Sequence, residues 1–416
     1  MRLLGLLLAF TFSLEALFRA PVTQVAQNNN RFALSFYSEI VKQHPRTNLV
    51  FSPYGLSSAM GIAFLAAGDQ MGKDLSQILS FPLDARIMGE SFKRMNQDFS
   101  TDKSLGCASS LWVQENLNFK GDFLEQVNTY YEGRFHQVDF EIRSDSSRSE
   151  INSWVEKKTG TRTQALSVSD MPRSTKMLLL ATCTLKAAWD TPFNLKDSQS
   201  LSFVTGQGSQ RAATFMRAQG EYAYYETDEA KVVEIPYAVY VGQLTRLGFW
   251  VVLPKGQRGL EAFESQLSFD KFNEWRIQAV KKLVSISIPR FRIYQIHNFN
   301  DTFVKLGLPQ PFSPGADFSR MTDSSQAFIA KTLQKTLFFI NEKGSDAPTS
   351  TSASTLANTS SNTSSNTSSR TPRPSAAKPL THPEGILEFH ANRPFLFFVL
   401  DNTSGQILFL GRVVTP

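Results

Sequence analysis

Side chains that commonly do chemistry are thinly spread in this sequence. Its five histidines lie apart, and no CxxC, HExxH or GxSxG phrase occurs. No metal site, no cofactor and no nucleophile elbow is therefore predicted, and the chain does not read as an enzyme. Cys107 and Cys183 cannot form a disulfide framework; one bridge and two buried free thiols are both compatible with the spacing. Gly68-Asp69-Gln70-Met71-Gly72-Lys73-Asp74 echoes a phosphate loop. It is one residue short between the glycines, with Asp where a hydroxyl must meet magnesium, and reads as a turn after a helix. The chemistry on offer is modification and cleavage. Asn300, Asn358, Asn362, Asn366 and Asn402 each open an Asn-x-Ser/Thr sequon. Arg370-Thr371 is a bond a trypsin-like protease accepts, and Leu380-Thr381, followed by His382 and Pro383, suits a chymotrypsin-like one. Arg373-Pro374 should resist.

Three of those sequons and the cleavable bonds fall in one stretch of unusual composition. From Thr349 to Thr371, 16 of 23 residues are Ser or Thr. Such a segment cannot bury enough apolar surface to offset its ordering entropy, so it is expected to be an exposed loop. It lies between two strongly patterned regions, which makes it a functional lead rather than a linker.

The elements that must carry the loop are legible from periodicity. Ala33, Phe36, Tyr37 and Ile40 recur at helical spacing, a second helix follows Pro53, and Ile151 to Lys158 reads as another with Trp154 on its buried side. Met177 to Leu180 is apolar enough for a central strand, and Phe249 to Leu253 is similar. Val284 to Ile288 alternates, as a half-buried strand should. Phe395 to Leu400 and Ile407 to Val414 flank the turn signal Asn402 to Gly405 and predict a hairpin buried on both faces. With 34 phenylalanines, much of the core should be aromatic.

Composition bounds the class. Apolar residues make up 41% and charged residues 19% of the 416, as in ordinary folded domains. Arg2 followed by the apolar run Leu3 to Phe12 and small residues up to Ala20 describes a signal peptide over residues 1–20, cleaved between about 13 and 20. The run is too short to span a bilayer. A secreted, extracellular monomer is expected, with no membrane or nucleic-acid partner. The net charge of +6 is spread along the chain; Arg276, Lys281 and Lys282 allow at most a weak glycosaminoglycan contact.

Seven phrases stand out, in order, along the chain. They are Asn48-Leu49-Val50-Phe51-Ser52-Pro53, Ile151-Asn152-Ser153-Trp154-Val155, Lys186-Ala187-Ala188-Trp189, Leu306-Gly307-Leu308 and Ala316-Asp317-Phe318-Ser319. Ile340-Asn341-Glu342-Lys343-Gly344 and Phe389-His390-Ala391-Asn392-Arg393-Pro394-Phe395-Leu396-Phe397 complete the set. Together they resemble the serpin superfamily, and the wording from Ala316 to Met321 is most similar to its secreted antitrypsin-like group. The resemblance implies an α+β serpin fold over residues 21–416, with three β-sheets, eight or nine helices and an exposed reactive-centre loop at 345–388. It also implies a partner, an extracellular serine protease. In inhibitory members a protease cuts the loop, which then inserts as a new strand in the main sheet and carries the acylated enzyme away; this is a standing example of strand addition driven by stored strain.

Against that pattern the hinge Glu342-Lys343-Gly344-Ser345-Asp346-Ala347-Pro348 departs at its last residue. Pro348 lacks the amide an inserted strand must donate. The loop is also long. In inhibitory relatives the scissile residue lies roughly fourteen positions after the hinge glycine and roughly eleven before the proline matching Pro394. Those counts land on Asn358 and on Pro383, 25 residues apart, and a tether with that much slack traps poorly. A glycan on Asn358 would block insertion. Finally, where relatives carry Ser, Asn and His beneath the opening sheet, this chain has Gly55, Ala181 and Gln334, with Ser52 retained. The resulting expectation is a protease-inhibitor serpin with weakened or lost trapping; the alternative is a non-inhibitory extracellular binding protein or carrier with a glycosylated display loop.

Overall fold

The computed structural model describes residues 2–102, 104–131, 134–160, 165–239, 246–255, 259–346 and 385–416. Ala347, Pro348, Asn358, Asn362, Asn366, Arg370, Leu380, Thr381, His382 and Pro383 lie outside them.

Helix α1 (Arg2–Gln43) contains the segment read as a signal peptide, and further on it buries Ala33, Phe36, Tyr37 and Ile40 as their spacing requires. After β1 (Leu49–Phe51), Ser52 caps α2 (Pro53–Ala66) by accepting the Gly55 amide at 3.1 Å, with Pro53 at the first helical position. Every residue of α2 is buried, so this helix is a pillar of the core rather than an amphipathic surface element. There follow α3 (Asp69–Leu79), α4 (Ala85–Asp102), β2 (Leu105–Gln114), α5 (Gly121–Tyr131), β3 (Phe135–Val138) and α6 (Ser144–Thr159). The phosphate-loop echo is not a turn: Gly68 caps α3 and Asp69 to Asp74 form its first turns, with the Asp317 carboxylate packed where a Gly68 side chain would be. Trp154 in α6 is half-buried, not buried; Ile151 and Val155 carry the inner face.

The central and C-terminal elements are β4 (Met177–Ala188), β5 (Gln199–Val204), β6 (Gln210–Glu226), β7 (Ala230–Pro236), β8 (Leu247–Pro254), α7 (Gly259–Glu264), α8 (Phe269–Gln278) and β9 (Val280–Pro289). Then come β10 (Phe291–Asn298), α9 (Asn300–Lys305), β11 (Ile329–Ile340), β12 (Gly344–Asp346), β13 (Leu387–His390), β14 (Phe395–Asp401) and β15 (Gln406–Val413). Nine α-helices and fifteen strands thus occur among the described residues. By hydrogen bonding they form two sheets. The smaller runs β10-β11-β4-β2-β3, with β12 on the end of β4; the larger runs β1-β15-β14-β8-β7-β6-β9-β13, with β5 also on β6. The 17-residue β6 pairs with β5 at one end and β7 at the other, so it joins two halves of the larger sheet that would otherwise count separately.

Burial follows the reading of the apolar runs, with one correction. β8, β14 and β15 are buried throughout. Val284 to Ile288 in β9 is also buried on both faces, Ser285 and Ser287 included, so its alternation does not mark a solvent face. Phe291, Phe338, Phe397 and Phe409 interlock between the sheets, with Phe338 to Phe397 stacked at 4.9 Å.

Candidate functional site

Strands β11 and β4 run parallel, from Ile329 opposite Met177 to Leu337 opposite Thr184. Beyond Ile340 the chain reverses at Asn341 to Gly344 and returns as β12, antiparallel to β4, with Gly344 opposite Ala188, Ser345 opposite Ala187 and Asp346 opposite Lys186. A continuation of β12 would therefore be antiparallel to both neighbours. It would replace one parallel ladder, the less stable kind per residue, with two antiparallel ones. The topology defines the seam between β4 and β11 as the place for an added strand.

The hinge is held residue by residue. Gly344 has φ of 144°, and a side chain there would strike the Ala187 carbonyl, so only glycine makes this turn. The Trp189 amide donates to the Lys343 carbonyl at 3.0 Å, the Phe193 amide to Glu342 at 2.9 Å, and the Trp189 indole to the Asn341 carbonyl at 2.8 Å. This explains why Lys186 to Trp189 is one of the informative phrases: its end grips the hinge. Trp189 stacks on Tyr237 at 4.5 Å, and the Tyr237 hydroxyl meets the Ser345 hydroxyl at 2.6 Å. Ser345 is only 1% exposed, and burial pushes the Tyr237 phenol far up, so it stays a neutral hydrogen-bonding group. The Glu342 carboxylate is buried and accepts from Arg290 Nε at 2.7 Å and Ser198 Oγ at 2.5 Å. Burial pushes this carboxyl up, but those donors outweigh it and hold it below its ordinary value. Tyr237, Arg290 and Ser198 escaped sequence reading because only the fold brings them to the hinge.

Beneath the seam, Ser52, Gly55, Ala181 and Gln334 do converge, but the cluster is rebuilt rather than stripped. Gln334, fully buried, accepts from the Ser52 amide and donates to the Ser52 carbonyl, both at 2.8 Å, which ties β11 to the start of α2. Ala181 sits opposite Gln334 in β11 and opposite Ser109 in β2; Ser109 meets Ser58 of α2 at 3.0 Å. Cys107 and Cys183, left open above, face each other across β2 and β4 and are joined in a disulfide. A Cβ on Gly55 would lie 2.6 Å from the Cys183 sulfur. The missing side chain at Gly55 thus makes room for the bridge. The bridge ties β4 to β2 and leaves the β4–β11 seam free. Lys335, also on β11, is buried, and burial pulls its ammonium down to about 8.

Other expected sites fare unevenly. Asn300 is not a free surface amide: its Nδ2 donates to the Ala330 carbonyl at 2.9 Å and its Oδ1 accepts from the Thr332 amide at 2.7 Å, latching α9 to β11. Asn402 is exposed and donates to Glu234. Arg276 is drawn inward against Gly405, facing Asp401 and Glu234, so it does not share an open patch with the exposed Lys281 and Lys282. Among the described residues no group of three or more acidic, His or Cys side chains is placed to hold a metal, and no helix is long and apolar enough to cross a membrane.

Comparison with known proteins agrees with this fold. The family model for serpins (serine protease inhibitors) matches residues 27–416. The human leukocyte elastase inhibitor is 28% identical over 408 residues, covering 94% of this chain and all of the relative. A serpin-like protein of Methanosarcina mazei is 26% identical over 399 residues, covering 94% of this chain and 87% of the relative. Among solved structures, a tumour-suppressing serpin superposes with a TM-score of 0.79 at 21% identity, over 95% of this chain and all of that one. Thyroxine-binding globulin complexed with thyroxine gives 0.78 at 23%, over 94% and 99%. These comparisons do not single out the antitrypsin-like group. The chain belongs to the serpin family.

Proposed function

We propose that this serpin is a secreted protein directed at a serine protease, acting through its loop as bait and not as an enzyme, with a trapping step that is seated but checked. The observation that carries this reading is β12: the hinge already forms the first residues of an added strand, with Ser345 buried against Tyr237. The names of relatives such as the leukocyte elastase inhibitor support the protease-directed part. The register supports the check. Were the strand to continue by two residues in the same register, Ala347 would fall opposite Leu185 and Pro348 opposite Thr184. Thr184 is where the β11 ladder ends, at Leu337. On that continuation Pro348 would be the residue to open the seam, and proline brings no amide to replace the pairing it would displace. A carbonyl left without a partner there costs about 1–3 kcal/mol, while about 1.4 kcal/mol on a barrier already slows insertion tenfold. The slack of the long loop acts in the same direction.

The second reading, a non-inhibitory binding protein displaying a glycosylated loop, is favoured by the Ser/Thr-rich segment and its three sequons. Incubation with trypsin-like and chymotrypsin-like proteases separates the two. A fraction of SDS-stable complex beside cleaved chain supports checked trapping. Cleavage with all protease left active supports the second reading.

A further inference from the structure

At the rim of the larger sheet lies a cavity of about 340 Å³. It is lined by the link from α1 to β1, the turn between β5 and β6, the end of β8, the start of α7, the link from β13 to β14 and the end of β15. We propose that it binds a small amphipathic organic anion, one carboxylate, sulfate or sulfonate group on an apolar body.

The volume is within the range of small-molecule sites. Val204, Pro254, Leu260, Pro394 and Val414 supply apolar walls. The cations around it are not equivalent. Arg412 is 2% exposed and its charge is met by Glu264 at 2.7 Å. Arg46 is bridged at 3.2 Å to Glu261, both in the open rim. Arg393 is different. It is half-buried, and its Nε and Nη2 donate to the Pro254 carbonyl at 3.1 and 2.9 Å, with Nη1 reaching Asn392 Oδ1 at 3.4 Å. Those bonds fix the plane of the guanidinium and use three of its five donors. Among the described residues no carboxylate forms an ion pair with it, and burial alone pulls its pKa down. A half-buried cation without a counter-charge carries a desolvation cost that an anion in the cavity offsets. The pre-positioned fork suits a planar or tetrahedral oxyanion. The apolar walls then take the rest of the ligand, which sets this site apart from a contact for bare inorganic ions. Protease recognition plays no part in this inference.

The test is fluorescence titration of the full folded chain with 8-anilinonaphthalene-1-sulfonate and, in parallel, with uncharged N-phenyl-1-naphthylamine. Saturable one-to-one binding of the sulfonate is expected, with Arg393→Gln weakening it at least tenfold and leaving the weak neutral probe unaffected. Leu260→Trp, which fills the cavity without touching the charge, should abolish the sulfonate site even if Arg393→Gln folds poorly. No saturable sulfonate binding, equal binding of the two probes, or sulfonate binding unchanged in Leu260→Trp overturns the proposal.

Discussion

Gly55 offers the sharpest test of how the region beneath the seam is built. A methyl group at that position would lie 2.6 Å from the Cys183 sulfur, 3.4 Å from Ser52 Oγ and 3.5 Å from Gln334 Nε2. The sulfur cannot rotate away, because it is bonded to Cys107. Overpacking of this kind costs about 1–3 kcal/mol, against a gain of up to about 1 kcal/mol for replacing glycine in a helix. Gly55→Ala should therefore destabilise the chain by about 1–2 kcal/mol. In a Cys107→Ala/Cys183→Ala background the obstructing sulfur is gone, and the same substitution should be neutral or slightly stabilising. That background itself should be less stable by about 4 kcal/mol, from the loop the bridge closes in the unfolded chain. Urea unfolding midpoints for the four proteins of the cycle give the coupling directly. Equal destabilisation by Gly55→Ala in both backgrounds would refute the idea that the glycine accommodates the disulfide.

Three further outcomes follow from the same geometry. Burial, and then His44, pull His297 down to about 4, so between pH 6.5 and 4 the unfolded chain takes up a proton that the folded chain refuses. Stability should fall by on the order of 3 kcal/mol across that window; His297→Gln should flatten this part of the stability–pH profile measured by urea unfolding, and an unchanged slope would exclude His297 as its source. Pro348→Ala restores an amide where the seam must open and should raise the yield of SDS-stable protease complex severalfold; an unaltered yield would place the check elsewhere, in the length of the loop. Ser345→Arg puts a charge into the buried site beside Tyr237 and should unseat β12, read as faster limited proteolysis of the hinge, whereas unchanged cleavage would mean the hinge is not held there.

Much of the fold was legible because burial leaves a local trace. The stripe of Ala33, Phe36, Tyr37 and Ile40, the continuous run at the start of β4 and the C-terminal hairpin each declare their surroundings within a few residues. The hinge glycine was legible too, through the phrase that contains it. What failed depends on partners distant in sequence. Ser285 and Ser287 look solvent-facing until a second layer covers them. Asn300 reads as a sequon, yet its amide is spent on backbone near residue 330. Gln334 reads as a lost polar group, but it clamps the Ser52 backbone across 282 positions. The pairing of Cys107 with Cys183 follows from the register of β2 against β4, which no local pattern encodes. Arg276 sits on a helix whose charged appearance hides the inward turn of that one side chain.

We propose that the hinge is the seated start of a strand that can enter between β4 and β11. Nicking the loop at a single peptide bond and comparing melting temperatures before and after tests it most directly. Insertion would add a central strand antiparallel to both neighbours, and the melting temperature should rise by roughly tens of degrees, more slowly in time than for Pro348→Ala. A nicked chain that melts where the intact one does, even after long incubation, would contradict it.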